Sequence, residues 1–191
     1  PVLAGVPAPA VLPAAGLPNG HHRVVFTWQM EDRDFTARGE GAARLASPDS
    51  ARLDFFVSGG IAAGAAVLVG DTLRVPSRAD AVARRVIPPA PLLWASLGRL
   101  AIPVIRDTTV RVDADTLRAD IGTPVAWRLL FVRDTLRRLE RVEDGRIAEW
   151  VARFPDGRVR YRNEISRRQL DLFITRIDDV GGFDPDIWIL P

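Results

Sequence analysis

Residues 51–75, ARLDFFVSGGIAAGAAVLVGDTLRV, admit few folds. Leu53, Phe55 and Val57 alternate with Arg52, Asp54 and Ser58, the period of two that marks a strand with one buried face. The next stretch, GGIAAGAA, has no charge, and Ile61 is its lone large apolar side chain. A connection between strands ordinarily faces water and is polar. An apolar one is either covered by protein or meets an apolar surface. A second strand follows in AAVLV, and Gly70-Asp71 turns the chain into a third at residues 72–76.

The same alternation recurs on both sides of this stretch. In VVFTWQME, Val24, Phe26, Trp28 and Met30 share one face, and Thr27, Gln29 and Glu31 the other. In FTARGEGAARLA the inward residues Phe35, Ala37, Gly39, Gly41, Ala43 and Leu45 are mostly small, which leaves room for a crossing helix or a ligand. Strands are predicted at 109–112, 117–122, 125–132, 146–154, 158–165 and 169–178, with Asp113, Asp115, Gly122, Pro124 and Pro155-Asp156-Gly157 marking turns. Residues 134–142, DTLRRLERV, carry Leu136, Leu139 and Val142 at a spacing of three, which hints at helix; lying between strands, the segment is read as a strand. Two short helices are predicted between the halves, at 77–85 and 92–100, with Ile87-Pro88-Pro89-Ala90-Pro91 as a stiff break between them. The expected fold is therefore mostly β: one curved antiparallel sheet of about 10–11 strands, a half-open β-barrel, with the helices of about 77–100 as plug or lid. Residues 1–22, with five prolines before Asn19, are expected to be an extended linker, and residues 23–191 the half-barrel domain.

Composition removes several functional classes. At 191 residues the chain suits one domain with a sizeable core. No apolar run reaches the roughly 18 residues of a membrane-spanning helix. Net charge is only +2, and the pI near 10.2 arises because every basic residue is Arg. Arginines sit beside acids (Arg33/Asp34, Arg52/Asp54, Arg106/Asp107, Arg138/Glu140), so no nucleic-acid surface is expected. The absence of Cys rules out thiol chemistry and Cys-ligated metal, and fits an exported protein. Ser58-Gly59-Gly60 is not a nucleophile elbow, and the adjacent His21 and His22, pointing to opposite strand faces, are read as solvated residues. Asp178, Asp179, Asp184 and Asp186 lack the spacing of a calcium loop. No catalytic residue, metal or cofactor is expected.

The order of elements resembles the lipoprotein-localisation factors of the LolA/LolB superfamily. The resemblance spans residues 23–178. It rests on the early strands VVFTWQME and FTARGEGAARLASPDSARLDFFV, the loop GGIAAGAA, the pair AAVLVGDTLRV, the mid-chain PPAPLLWASLG and the closing meander. It is nearer the LolB side, whose members carry a protruding apolar loop. What the resemblance implies is a half-open barrel that shelters acyl chains of lipoproteins, received from a periplasmic carrier protein and passed to the outer-membrane surface. Phe26, Trp28, Phe55 and Val57 would line the hollow, with Leu93, Trp94 and Leu97 facing it from the lid. Gly59, Gly60, Ile61 and Ala62 would form the membrane-contact loop, with Ile61 where the family has a protruding leucine. The protein would be a periplasmic monomer, anchored through a lipidated Cys upstream of Pro1. The family's opening amphipathic helix is replaced here by the Pro-rich segment. The alternative is a non-catalytic sensor or scaffold on the same sheet that carries no lipoprotein.

Overall fold

A computed structural model of the chain describes residues 4–57, 61–76, 87–103 and 107–189. The period-two segments form the strands β1 (Val6–Ala8), β2 (His21–Asp32), β3 (Phe35–Ala46), β4 (Ser50–Val57), β5 (Ile61–Val69), β6 (Thr72–Arg74), β7 (Thr108–Asp113), β8 (Thr116–Ile121), β9 (Trp127–Val132), β10 (Thr135–Glu143), β11 (Arg146–Arg153), β12 (Arg158–Asn163) and β13 (Arg168–Val180). They make one antiparallel sheet in the order β1-β7-β8-β9-β10-β11-β12-β13-β2-β3-β4-β5-β6, with β1 and β6 as its edge strands. The half-open, mostly β architecture is as expected. The strand count exceeds the expected 10–11 partly because the three-residue β1, drawn from the Pro-rich segment, pairs with β7 along one edge. That segment is extended and also packed: Leu17 is buried in the core, and the Ala15 carbonyl accepts a hydrogen bond from Leu100 N–H at 3.0 Å.

The turn after β10 shows how local chemistry sets register. Asp144 and Gly145 both have positive φ, 48° and 73°, as a two-residue hairpin turn of this hand requires. The three-residue spacing in β10 also has a local cause. Between Leu136 and Arg138 the register against β9 shifts by one residue, so Arg137 is a bulge and the next buried position falls on Leu139 rather than Arg138.

Among the described residues, one α-helix, α1 (Ala90–Ser96), lies on the concave face and packs on β10, β11 and β12. It begins two residues before the expected start because Pro91 is tolerated in the first turn. It stops at Leu97 because Gly98 adopts φ +95°, the left-handed conformation that ends helices. Seven residues are too few for a helix that stands alone. Burial of Leu92, Leu93, Trp94, Ala95 and Ser96 holds it. The expected helix at 77–85 lies outside the described residues.

The room expected over β3 is taken up by the sheet's own aromatic rings. A Cβ on Gly41 would stand 2.3 Å from the Phe26 ring, and one on Gly39 would stand 1.8 Å from the Phe56 carbonyl oxygen and 3.1 Å from the Trp28 indole nitrogen. The glycines are the seats of Phe26 and Trp28, and Phe55 closes the cluster edge-on at 5.5 and 5.9 Å. The Trp28 N–H donates through this gap to the carbonyls of Glu40 (2.9 Å) and Phe56 (3.2 Å). Gly39→Ala is therefore expected to destabilise the protein towards the upper end of the ~1–3 kcal/mol typical of overpacking. A denaturant midpoint equal to that of the wild type would contradict this seating.

His22, read from the sequence as solvated, is buried instead. Its ring nitrogens meet Asp179 Oδ1 at 2.8 Å and the Asn19 carbonyl at 2.9 Å, because β13 extends far enough to pair beside it. The apolar tail docks through Trp188, edge-on to Phe183 at 6.0 Å, while Arg52 donates to the Ile187 carbonyl at 2.9 Å.

Candidate functional site

The concave face is apolar across most of its width and polar near one end. On β12, Val159, Tyr161 and Asn163 point inward while Arg158, Arg160 and Arg162 point outward, a clean alternation. Tyr161 lies opposite Val151 of β11, and Asn163 lies opposite Glu149 on one side and Arg168 on the other. The register thus sets Glu149, Asn163 and Arg168 in a row across three strands.

Glu149 is only 3% exposed. Burying a carboxylate is costly unless its oxygens are matched, and here they are. Oε1 accepts from the Tyr161 hydroxyl and from Asn163 Nδ2, both at 2.7 Å, and Oε2 accepts from Arg141 Nε at 2.8 Å. Burial and the adjacent carboxylate push the Tyr161 phenol well above its usual pKa, so it remains a donor. Arg168 Nε lies 3.6 Å from Asp32 Oδ2. The carboxylate has no free lone pair aimed at a nucleophile, and among the described residues no group of His, Cys, Asp and Glu is placed to hold a metal.

This polar row is one wall of a cleft of about 460 Å³. The opposite wall is apolar: Leu73 of β6, Val75, and the Ile87-Pro88-Pro89 segment that leads into α1. A groove with one greasy and one hydrogen-bonding wall suits an amphiphile.

None of the hollow residues expected from the sequence lines this cleft. Phe26, Trp28 and Phe55 are each 2% exposed and form the packed aromatic cluster under β2–β4. Leu93 and Trp94 are fully buried on α1, in the same continuous core. Val57 and Leu97 are half-buried and pack against it. Of the expected contact loop, Gly59 and Gly60 lie outside the described residues. Ile61 and Ala62 open β5, and both are exposed, Ile61 at 68%.

Sequence reasoning missed the Glu149 row. In RIAEWVARF both strand faces carry apolar residues, so alternation alone does not say which one turns inward. The pairing of Val151 with Leu139 and Tyr161 settles it. The available signal was the cleaner β12, whose register carries Glu149 inward with Asn163.

Strand direction also places the rim. The C-terminal ends of β2, β4, β10 and β12 all fall at one end of the sheet. Three exposed apolar side chains lie there: Phe35 at the start of β3, Ile61 at the start of β5 and Ile165 between β12 and β13. Asn163 and Arg168 of the cleft flank the β12–β13 connection.

No protein-family model matches the sequence, and no curated protein matches it. Solved structures do share its fold. A LolA superfamily protein from Nitrosomonas europaea superposes with a TM-score of 0.55 at 10% identity, covering 92% of each chain. A DUF1329 family protein from Desulfovibrio piger superposes with a TM-score of 0.56 at 8% identity, covering 90% of each chain. The chain therefore shares its fold with these two proteins over about nine-tenths of its length.

Proposed function

We propose, from the fold shared with a LolA superfamily protein, that this chain is a non-enzymatic carrier or receptor for acyl chains, of a lipid or of a lipoprotein, in the bacterial envelope. The acyl chain occupies the cleft against Leu73, Val75, Ile87, Pro88 and Pro89, and the polar part of the ligand faces Tyr161 and Arg168. Each methylene taken from water contributes about 0.8 kcal/mol, so a chain of ordinary length supplies the affinity without specific contacts. The aromatic cluster of Phe26, Trp28 and Phe55 is buried core and does not line this cleft.

The observation that carries the reading is the placement of cleft and rim. The polar wall of the cleft, through Asn163 and Arg168, flanks the β12–β13 connection at the end of the sheet where Phe35, Ile61 and Ile165 are exposed. An edge of isolated apolar side chains on hairpin tips can enter the interfacial zone of a bilayer while the barrel stays in water. A ligand leaving the cleft at that end meets the membrane directly. The finer assignment, LolB-like delivery of lipoprotein to the outer membrane, follows the same geometry, with Ile61 as the inserting side chain.

The test separates binding from delivery. Purified protein should carry lipid detectable by mass spectrometry, and fatty acid should displace an environment-sensitive apolar dye from it. Ile61→Glu should leave the fold and dye binding intact. It should reduce transfer of an acylated client to vesicles by about tenfold or more, equivalent to a loss of about 1.4 kcal/mol at the membrane contact. Dye binding that fatty acid does not displace would remove the carrier reading and leave a sensor or scaffold. Unchanged transfer by Ile61→Glu would remove the membrane-contact role.

A further inference from the structure

The convex face shows a second feature that acyl binding does not use. Its strands carry arginines and acids in cross-strand rows, most of them paired. Across β7 to β10 the pairing is incomplete. Arg118 of β8 lies between Arg111 of β7 and Leu130 of β9, and Leu130 lies opposite Arg138 of β10. One step along the strands, Asp120, Arg128 and Glu140 form the neighbouring row.

The charges in these rows do not cancel. Asp120 takes Arg128 in a fork, with Nε at 2.7 Å and Nη2 at 3.3 Å, and Glu140 takes Arg138 Nε at 2.6 Å. Arg111 donates to the Gly5 carbonyl at 2.9 Å. Arg118 Nη1 is buried with no hydrogen-bond partner. Leaving such a donor unmatched is costly, and it calls for an acceptor. The side chains Arg118, Arg128 and Arg138 line a groove of about 190 Å³ together with Glu140 and the Leu129-Leu130 segment of β9. The guanidinium of Arg138 is held in place by stacking at 4.1 Å over Trp150.

The geometry points to a phosphate-binding site in this groove, on the face opposite the cleft. Three guanidinium groups against two carboxylates leave one positive charge in excess, and Arg111 adds another beside it. The Nη groups of Arg128 and Arg138 not engaged with Asp120 and Glu140 remain available as donors. All three arginines line the groove, and three guanidinium groups match the several acceptor oxygens of a phosphate better than the two of a carboxylate. The phosphate comes either from a phospholipid head group or from solution; the chemistry at the groove is the same.

The proposal is tested on the full chain by calorimetric titration with inorganic phosphate, and by co-sedimentation with phosphatidylglycerol vesicles against phosphatidylcholine vesicles. Arg118→Met and Arg138→Gln are measured alongside. Saturable binding of either probe at low salt is expected, weakened about tenfold or more in both variants, with thermal unfolding in phosphate-free buffer unchanged for Arg118→Met. Binding of inorganic phosphate alone identifies a free anion; preference for phosphatidylglycerol vesicles, lost in the variants, identifies a head group. No saturable binding of either probe, or binding that survives both substitutions, overturns the site. Dye binding in the acyl cleft is independent of these outcomes, so failure here leaves the proposed function standing.

Discussion

Trp94→Ala is expected to lower stability by about 3–5 kcal/mol, the range for removing a large buried aromatic side chain. For a chain of this size that corresponds to a fall in Tm on the order of 10 °C. Two losses combine. The indole is completely buried at the centre of α1, against the continuous core. Its N–H donates to the Gly70 carbonyl at 2.8 Å, and Gly70 N–H in turn donates to the Asp49 carbonyl, so the helix is latched to the turns after β3 and β5. Arg99 stacks over the same ring at 4.6 Å. Trp94→Phe separates the two contributions: it keeps most of the apolar burial, loses the latch, and should cost about 1 kcal/mol beyond the volume change. Urea titration of the three proteins reads both. A Trp94→Ala protein as stable as the wild type would mean that α1 does not hold the concave face.

Glu149→Leu is the second large effect, at about 3 kcal/mol or more of destabilisation. The substitution is close in size but leaves the Tyr161 hydroxyl and Asn163 Nδ2 without their acceptor, in a place where water reaches poorly. Arg141 keeps a contact with Glu143, so its charge is not stranded, and most of the cost falls on the two neutral donors. Glu149→Gln retains one acceptor oxygen and should cost less than half as much. The ordering wild type, Gln, Leu in denaturant titration checks this network. If Leu were as stable as the wild type, the carboxylate would be replaceable packing rather than the centre of the polar wall. Because Glu149 lines the cleft, both variants should also be assayed for dye binding, where the apolar wall formed by Leu73, Val75 and Ile87 is left unchanged.

The strands were legible because their physics is local. Alternation in VVFTWQME and RVRYRNEI and the apolar run VAWRLLFV, broken by Asp-Gly and Pro-Asp-Gly turns, leave antiparallel pairing as the way to bury one face of each segment. So many strands in sequence order must curve, and the half-open barrel follows. The charge-free stretch around Ile61 left two readings open, covered by protein or facing outward; it lies in β5, and the 68% exposure of Ile61 shows that this side chain is not covered.

Contacts between distant segments decided the rest. The small residues of β3 read equally as space for a ligand and as seats for rings; the pairing of β2 with β3 lays Phe26 over Gly41 and Trp28 beside Gly39, and makes them seats. The Leu136–Leu139 spacing read as a helical hint until pairing with β9 put a bulge at Arg137. The cleft draws its walls from β6, the segment before α1, β11, β12 and β13, and neither face of β11 announces itself as the inner one. Composition and period determined that this chain is a curved sheet with an apolar interior, because burial of alternate side chains acts along each strand by itself. Where the interior stays open, and which polar groups face it, was decided by tertiary structure, because register between strands and the seating of one short helix depend on residues far apart in the chain.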